Sequence, residues 1–223
     1  MKALAIDCAV SKIIIAAKND EHSVHCVYDI GMKQSETIVP AIEYVLTKAD
    51  LTLQELDYLT ITAGPGSFTG LRLGFAAIKA IEMTCDIPVY GISSLEAYEY
   101  AYTDLNLPVL SLIDANKDKF YARISDSNSI ILEDGDYDID FILEKVSAFE
   151  KIIIAGPDAL KFKQIMINSE SKTTVLVLKN QTLPTEALFA ISESKIEKKE
   201  PSMKDFDGPV YLRASEAELN LKK

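Results

Sequence analysis

Two places in this sequence could do chemistry: a carboxylate at the end of an apolar strand and a glycine-rich turn that opens a helix. Asp7 closes the run Ala3 to Asp7, a position from which a carboxylate can hold a magnesium ion against a nucleotide. The next residues, Cys8-Ala9-Val10-Ser11, include no glycine, so the backbone there does not let a phosphate come close. Asp7 is therefore read as structural or vestigial, with nucleotide contact as the alternative. The turn is Ala63 to Gly74, which reads AGPGSFTGLRLG. Its N–H groups from Gly66 to Gly70 are orphans at a helix start, an anion site in outline, with Asp7, Gly64, Gly66 and Ser67 as the contacts. It is not a Walker loop, because the glycine spacing fails and no Lys-Ser or Lys-Thr follows.

The same segment supports a packing reading. Gly66, Gly70 and Gly74 recur every fourth residue with Ala77 close behind, and each interior glycine costs about 0.5–1 kcal/mol relative to alanine. A close approach by another helix or strand would offset that, since only small residues let two axes come near. A second stripe, Phe68, Leu71, Phe75 and Ile78, lies beside the first, so the helix is expected to be buried on more than one side. One side can be the sheet; the other calls for a partner. Packing is preferred to phosphate binding.

The remaining candidates are weaker. His22 and His25 are the two histidines. Strand alternation sends them to opposite faces, and they are read as surface residues rather than metal ligands. With no other histidine, a Ser-His or Cys-His nucleophile has nothing to work with, so proteolysis is disfavoured. Cys8, Cys26 and Cys85 are an odd, widely spaced set, suited to a reducing compartment and to the core. The acidic stretch Glu133 to Asp140 is expected to be a solvated loop rather than a metal site. No catalytic residue, metal or cofactor of the chain's own is expected.

The elements that must position these residues follow from periodicity. Ala3 to Asp7, Lys12 to Lys18 and Ser23 to Tyr28 read as an antiparallel meander. Ile38, Ile42, Val45 and Ala49 share one helical face, with Ala41 beside them. Pro40 sits in the first turn if Thr37 is the N-cap and kinks the helix if Ser35 is. Leu59 to Thr62 is a strand, Ser67 caps a helix to about Cys85, Pro88 to Ile92 is a strand, and Ser94 caps a helix to about Thr103. From Leu107 the pattern repeats. Strands are expected at Pro108 to Ile113, Lys119 to Ser125, Ser129 to Glu133, Ile152 to Ala155 and Thr174 to Leu178, with helices at Phe141 to Phe149, Asp158 to Asn168 and Pro184 to Ile196. Lys195 to Glu200 reads as a linker to the tail. A meander followed by α/β alternation, twice over, predicts an actin-like α/β fold of duplicated lobes, residues 1–104 and 105–223.

Composition sets outer limits. The 223 residues are 48% hydrophobic and 26% charged, which suits a soluble globular chain with a sizeable core. The apolar runs fall far short of the ~20 residues that span a bilayer. No leader is evident at the N-terminus, and a cytoplasmic protein is expected. Against 23 basic side chains stand 34 acidic ones, for a net charge of −11, so a polyanion such as tRNA is repelled by the mean field.

The Gly-Pro-Gly-Ser-Phe-Thr-Gly-Leu-Arg-Leu-Gly segment resembles the signature of the TsaB (YeaZ) family. Ile6-Asp7, Ser35-Glu36, the run Pro88 to Ala97, Asp114-Ala115 and the late Pro209-Val210-Tyr211-Leu212-Arg213 add to the likeness, which is strongest over roughly the first hundred residues. Gln34 departs from the histidine that family often places before Ser-Glu. The resemblance implies an actin-like fold with a reduced second lobe and a non-catalytic place in the bacterial machinery that makes threonylcarbamoyladenosine in tRNA. It implies TsaD as partner, TsaE as an ATPase joining the pair, a homodimer when isolated, tRNA reached only through the complex, and ATP or ADP at most at the joint interface. The catalytic relative TsaD holds a metal with two histidines, and the positions matching them here are Ser94 and Tyr98. The partner interface is expected on the first-lobe helices, at Ile38, Ala41, Ile42, Val45, Phe68, Gly70, Leu71, Gly74, Phe75 and Ile78. The rivals are a stand-alone actin-like small-molecule kinase, which would need glycine loops that the sequence largely lacks, and a peptidase.

Overall fold

The computed structural model describes residues 1–31, 34–178 and 182–213. The described residues form two compact units, one of Met1–Ser94 with Leu183–Val210 and one of Leu95–Thr182 with residues 211–213.

In unit 1, β1 (Lys2–Asp7), β2 (Ile13–Asn19) and β3 (His22–Tyr28) form the expected antiparallel meander. β4 (Tyr58–Gly64) and β5 (Val89–Ser93) then add in parallel on the other side of β1, for the order β3-β2-β1-β4-β5. Helices α1 (Gln34–Lys48) and α2 (Phe68–Cys85) supply Ile38, Ala41, Ile42, Val45, Phe75 and Ile78 to a core with Leu4, Ile6, Ile15, Leu59 and Ile61. The alternate residues face helix α6 (Pro184–Glu197), where Ser192 donates to Thr60 (2.8 Å) and Glu193 accepts from Tyr58 (3.0 Å) and Lys18 (2.6 Å). Cover on both faces explains why β1 reads as unbroken apolar sequence.

Unit 2 repeats the plan. β6 (Val109–Asp114), β7 (Lys119–Ser125), β8 (Ile130–Asp138), β9 (Lys151–Ala155) and β10 (Thr174–Leu176) are ordered β10-β9-β6-β7-β8, the same strand sequence and the same parallel and antiparallel senses as in unit 1. Helix α3 (Ser94–Glu99) begins at the division between the units. α4 (Ile139–Val146) has 8 residues where α1 has 15, and α5 (Ala159–Asn168) has 10 where α2 has 18. Its core centres on Phe120 and Phe162, whose rings meet edge to face at 5.2 Å. The duplicated α/β fold with a reduced second lobe is thus present.

Several expectations change. The division falls after Ser94 rather than at residue 104, and α6 with the segment to Val210 belongs to unit 1, because its apolar side closes the open face of that sheet. Residues 214–223 of the expected second lobe lie outside the described residues. α1 starts at Gln34, so Pro40 is inside the helix, not in its first turn; the missing N–H leaves the Glu36 carbonyl without its helical donor. The acidic stretch is no loop. Glu133–Asp138 continues β8, Asp134 accepts from Arg123 (3.0 Å), and Asp136 receives two bonds from Arg213 (2.8 Å each). The run from Lys195 is not a linker, since α6 continues to Glu197. Among the described residues, no helix is long and apolar enough to cross a membrane.

Candidate functional site

Ser67 caps α2 as expected: its hydroxyl accepts from the Gly70 N–H at 3.3 Å, and Asp86 ends the helix in the left-handed conformation. The turn before it, with a cis Gly64–Pro65 bond, lies directly on the chain that leaves β1. The Ser67 N–H donates to the Ala9 carbonyl at 2.6 Å. A Cβ on Gly66 would stand 2.2 Å from Ala9 O, and one on Gly70 would stand 2.2 Å from Cys8 O. At Gly74 it would meet Ile61 Cδ1 at 3.2 Å and Cys8 Cβ at 3.5 Å. The small-residue stripe therefore admits this chain's own strand end, not a partner helix.

That geometry leaves the anion reading of Asp7, Gly64, Gly66 and Ser67 without an open approach along the Cys8–Ala9 side. An anion at the start of α2 would meet the carbonyl oxygens of Cys8 and Ala9, both of the wrong sign. Gly64 faces the Val210 carbonyl instead. Asp7 is fully buried; its Oδ1 accepts from the Ala9 N–H (3.0 Å) and the Thr62 hydroxyl (2.9 Å), while its buried Oδ2 has no partner among the described residues.

Burial pushes the Asp7 carboxyl above the usual aspartate range, with the Ala9 and Thr62 bonds pulling the other way. Between the ordinary aspartate pKa and the raised native one, the native state thus holds a proton that the unfolded chain has released. The stability tied to it is full below the ordinary aspartate pKa and is lost as pH rises through the raised native one. Asp7→Asn is expected to flatten this dependence, which for one proton is at most ~1.4 kcal/mol per pH unit. Urea unfolding of both proteins between mildly acid and neutral pH checks it, and parallel curves refute it. Burial and the neighbouring Asp7 also push the Cys8 thiol up, away from reactivity.

Most residues expected at the partner interface are buried within unit 1. Ile38, Ala41, Ile42, Val45, Leu71, Phe75 and Ile78 are each 6% exposed or less, and Gly70 and Gly74 are buried. Their side chains fill unit 1, and Ile42 also lines the groove outside it. Phe68 alone stays half-buried, with the Arg72 guanidinium stacked 3.8 Å from its ring centre. The outer side of the same two helices carries apolar residues that the sequence reading did not single out. A groove of 550 Å³ runs between them, with Val39, Leu46 and Leu53 on one wall, Ala77, Ala80 and Ile81 on the other, and Ile42 as the only expected partner residue lining it. Val39 of the groove wall is 56% exposed, and Met83 on α2 is 86% exposed. Val39 and Met83 lie off the core stripe, and that was the available signal.

The histidines divide. His22 is exposed, while His25 is half-buried, its ring nitrogens bonded to Thr185 and Ser23 at 2.9 Å each. His25 is thus a packing residue against α6. Ser94 is fully buried and Tyr98 half-buried on α3. Among the described residues, no group of three or more His, Cys, Asp or Glu could hold a metal.

A family model described as TsaD, tRNA N6-adenosine threonylcarbamoyltransferase, matches residues 31–192. The Bacillus subtilis protein named tRNA threonylcarbamoyladenosine biosynthesis protein TsaB is 26% identical over 98% of this chain and 96% of its own length. The chain belongs to the TsaD family, on its TsaB (YeaZ) side. The Escherichia coli TsaB is 29% identical over 54% of this chain and 53% of that protein. Among solved structures, YeaZ from Pseudomonas aeruginosa superposes with a TM-score of 0.73 at 19% identity, covering 95% of this chain and 99% of that one. A Bacteroides thetaiotaomicron protein with an actin-like ATPase fold reaches a TM-score of 0.51 at 11% identity, over 85% of this chain and 95% of that one. The actin-like fold expected for a TsaB (YeaZ) member is therefore the one found.

Proposed function

We propose that this chain is a non-catalytic subunit in the synthesis of threonylcarbamoyladenosine in tRNA, and that it binds TsaD through the outer side of α1 and α2. One observation carries the reading. The turn before α2, where a nucleotide-binding relative would take its phosphate, is filled by the chain's own Cys8 and Ala9 carbonyls, while the same helices leave an apolar groove open on their outer side. The names of the TsaB relatives support the pathway. Ser94 and Tyr98, at the positions matching TsaD's metal histidines, supply no imidazole. TsaE joins the pair, tRNA is reached only through the complex because the chain carries −11, and any nucleotide belongs to the joint assembly. In isolation the groove pairs with a second copy. The rival stand-alone kinase needs room for a phosphate at Ala9, which the Gly66 contact denies.

Three titrations of the isolated chain test this. Cognate TsaD is expected to bind in the micromolar range or tighter, ATP and tRNA not measurably at physiological salt. ATP binding and turnover by the chain alone would favour the kinase, and failure to bind TsaD would sink the proposal.

A further inference from the structure

After α6 the chain stays with unit 1. The Met203 N–H donates to the Val89 carbonyl of β5 at 2.8 Å, and the Val210 N–H to the Ala63 carbonyl of β4 at 2.7 Å. Between them a turn closes on itself, with the Lys204 N–H on Asp207 Oδ2 (2.8 Å) and the Asp207 N–H on Lys204 O (3.0 Å). Lys79 of α2 reaches this turn, donating to Lys204 O at 3.0 Å while pairing with Glu82 at 2.8 Å. Two glycines make room for the strap. A Cβ on Gly91 would stand 2.7 Å from Met203 Sδ, and one on Gly64 would stand 2.5 Å from the Val210 carbonyl. Gly64 also has φ +115, a backbone conformation suited to glycine. The first glycine of the Gly-Pro-Gly turn thus serves the passage of the strap, not an anion.

We propose that residues 201–210 are a latch on α2. The strap bears on α2 at Lys79, near its middle, and on Gly64, the end of β4 from which the turn into α2 begins. Ala77, Ala80 and Ile81 of the groove flank Lys79, so a closed strap sets the position of that wall. Single bonds from Met203, Val210 and Lys79 attach it to the rest of unit 1, and its own residues are mostly exposed, with Met203 at the core edge, so it opens more readily than the unit unfolds. Release lets the start of α2 loosen and the groove lose its shape. The strap's consequence for a partner rests on the reading of the groove as the TsaD face; its hold on α2 does not.

Two substitutions separate these levels. Val210→Pro removes the N–H given to Ala63, and Lys79→Met removes the ammonium while keeping the stem. In the double variant of the full chain, amide hydrogen exchange across residues 64–82 is expected to rise about tenfold or more, with unit 2 unchanged. Affinity for TsaD should fall about tenfold in the same sample. Unchanged exchange in α2 overturns the latch, and so does unfolding of all unit 1 in each single variant, which would make the strap part of the core. Faster exchange with full TsaD affinity overturns its control of the groove. If the unaltered chain does not bind TsaD, the proposed function falls and exchange alone decides the latch.

Discussion

Gly70→Leu is expected to leave little folded protein at room temperature. A Cβ at that position would lie 2.2 Å from the Cys8 carbonyl oxygen, a backbone atom at the end of the central strand that cannot rotate away. α2 cannot retreat without withdrawing Phe75 and Ile78 from the core and stretching the Ser67–Ala9 bond. Overpacking alone costs about 1–3 kcal/mol and occasionally more. A backbone clash at a helix held at both ends belongs to the larger class, above about 4 kcal/mol, out of a total stability of ~5–15 kcal/mol. Gly74→Leu should be milder, since Ile61 and Cys8 side chains are its neighbours and can repack. Thermal melting by circular dichroism reads the difference. Native melting of Gly70→Leu with TsaD binding lost would return the glycine stripe to an interface.

The second large effect concerns binding rather than folding. Val39→Glu and Ala80→Glu place carboxylates on opposite walls of the groove, at positions open to solvent in the isolated chain. Each should change stability by no more than about 0.5 kcal/mol. Buried in an apolar interface without a cation, such a charge costs several kcal/mol, so the pair should weaken TsaD binding about a hundredfold or more. Ile167→Glu, on the exposed side of α5 in unit 2, is the control and should alter neither property. Calorimetric titration of melting-checked samples decides it, and equal affinities for the groove pair and the unaltered chain would remove the groove from the partner surface.

Most of the framework was legible without coordinates because it is written in local periodicity. The meander of β1 to β3, the capped helix from Ser67 to Cys85 and the repetition after Leu107 are each set by neighbours a few residues apart, and the structure places them within a few residues of expectation. Composition likewise bounded the charge and the scarcity of histidine. Boundaries failed where local rules competed. Pro40 argued for a start of α1 after Thr37, but the helix begins one turn earlier, at Gln34, and runs through Pro40. The acidity of Glu133–Asp138 argued for a loop, but Arg123 and Arg213 pair with it from distant positions and let β8 continue.

The sequence by itself determined that the α2 stripe needs a close neighbour, that α1 and α2 are amphipathic, and that the chain has two histidines. Which neighbour fills each face was decided only by the tertiary structure. Ile38, Val45, Phe75 and Ile78 have the same spacing whether they meet a sheet of their own chain or another protein, since helical periodicity reports that a face is apolar and not what covers it. The close approach at Gly66 and Gly70 turned out to be to Cys8 and Ala9, some sixty residues away in sequence. The tail motif that ends in Arg213 gave no local sign that Val210 would lie on Gly64. Contacts of that kind depend on loop closure over long stretches of chain, and no pattern within one helix or strand encodes them.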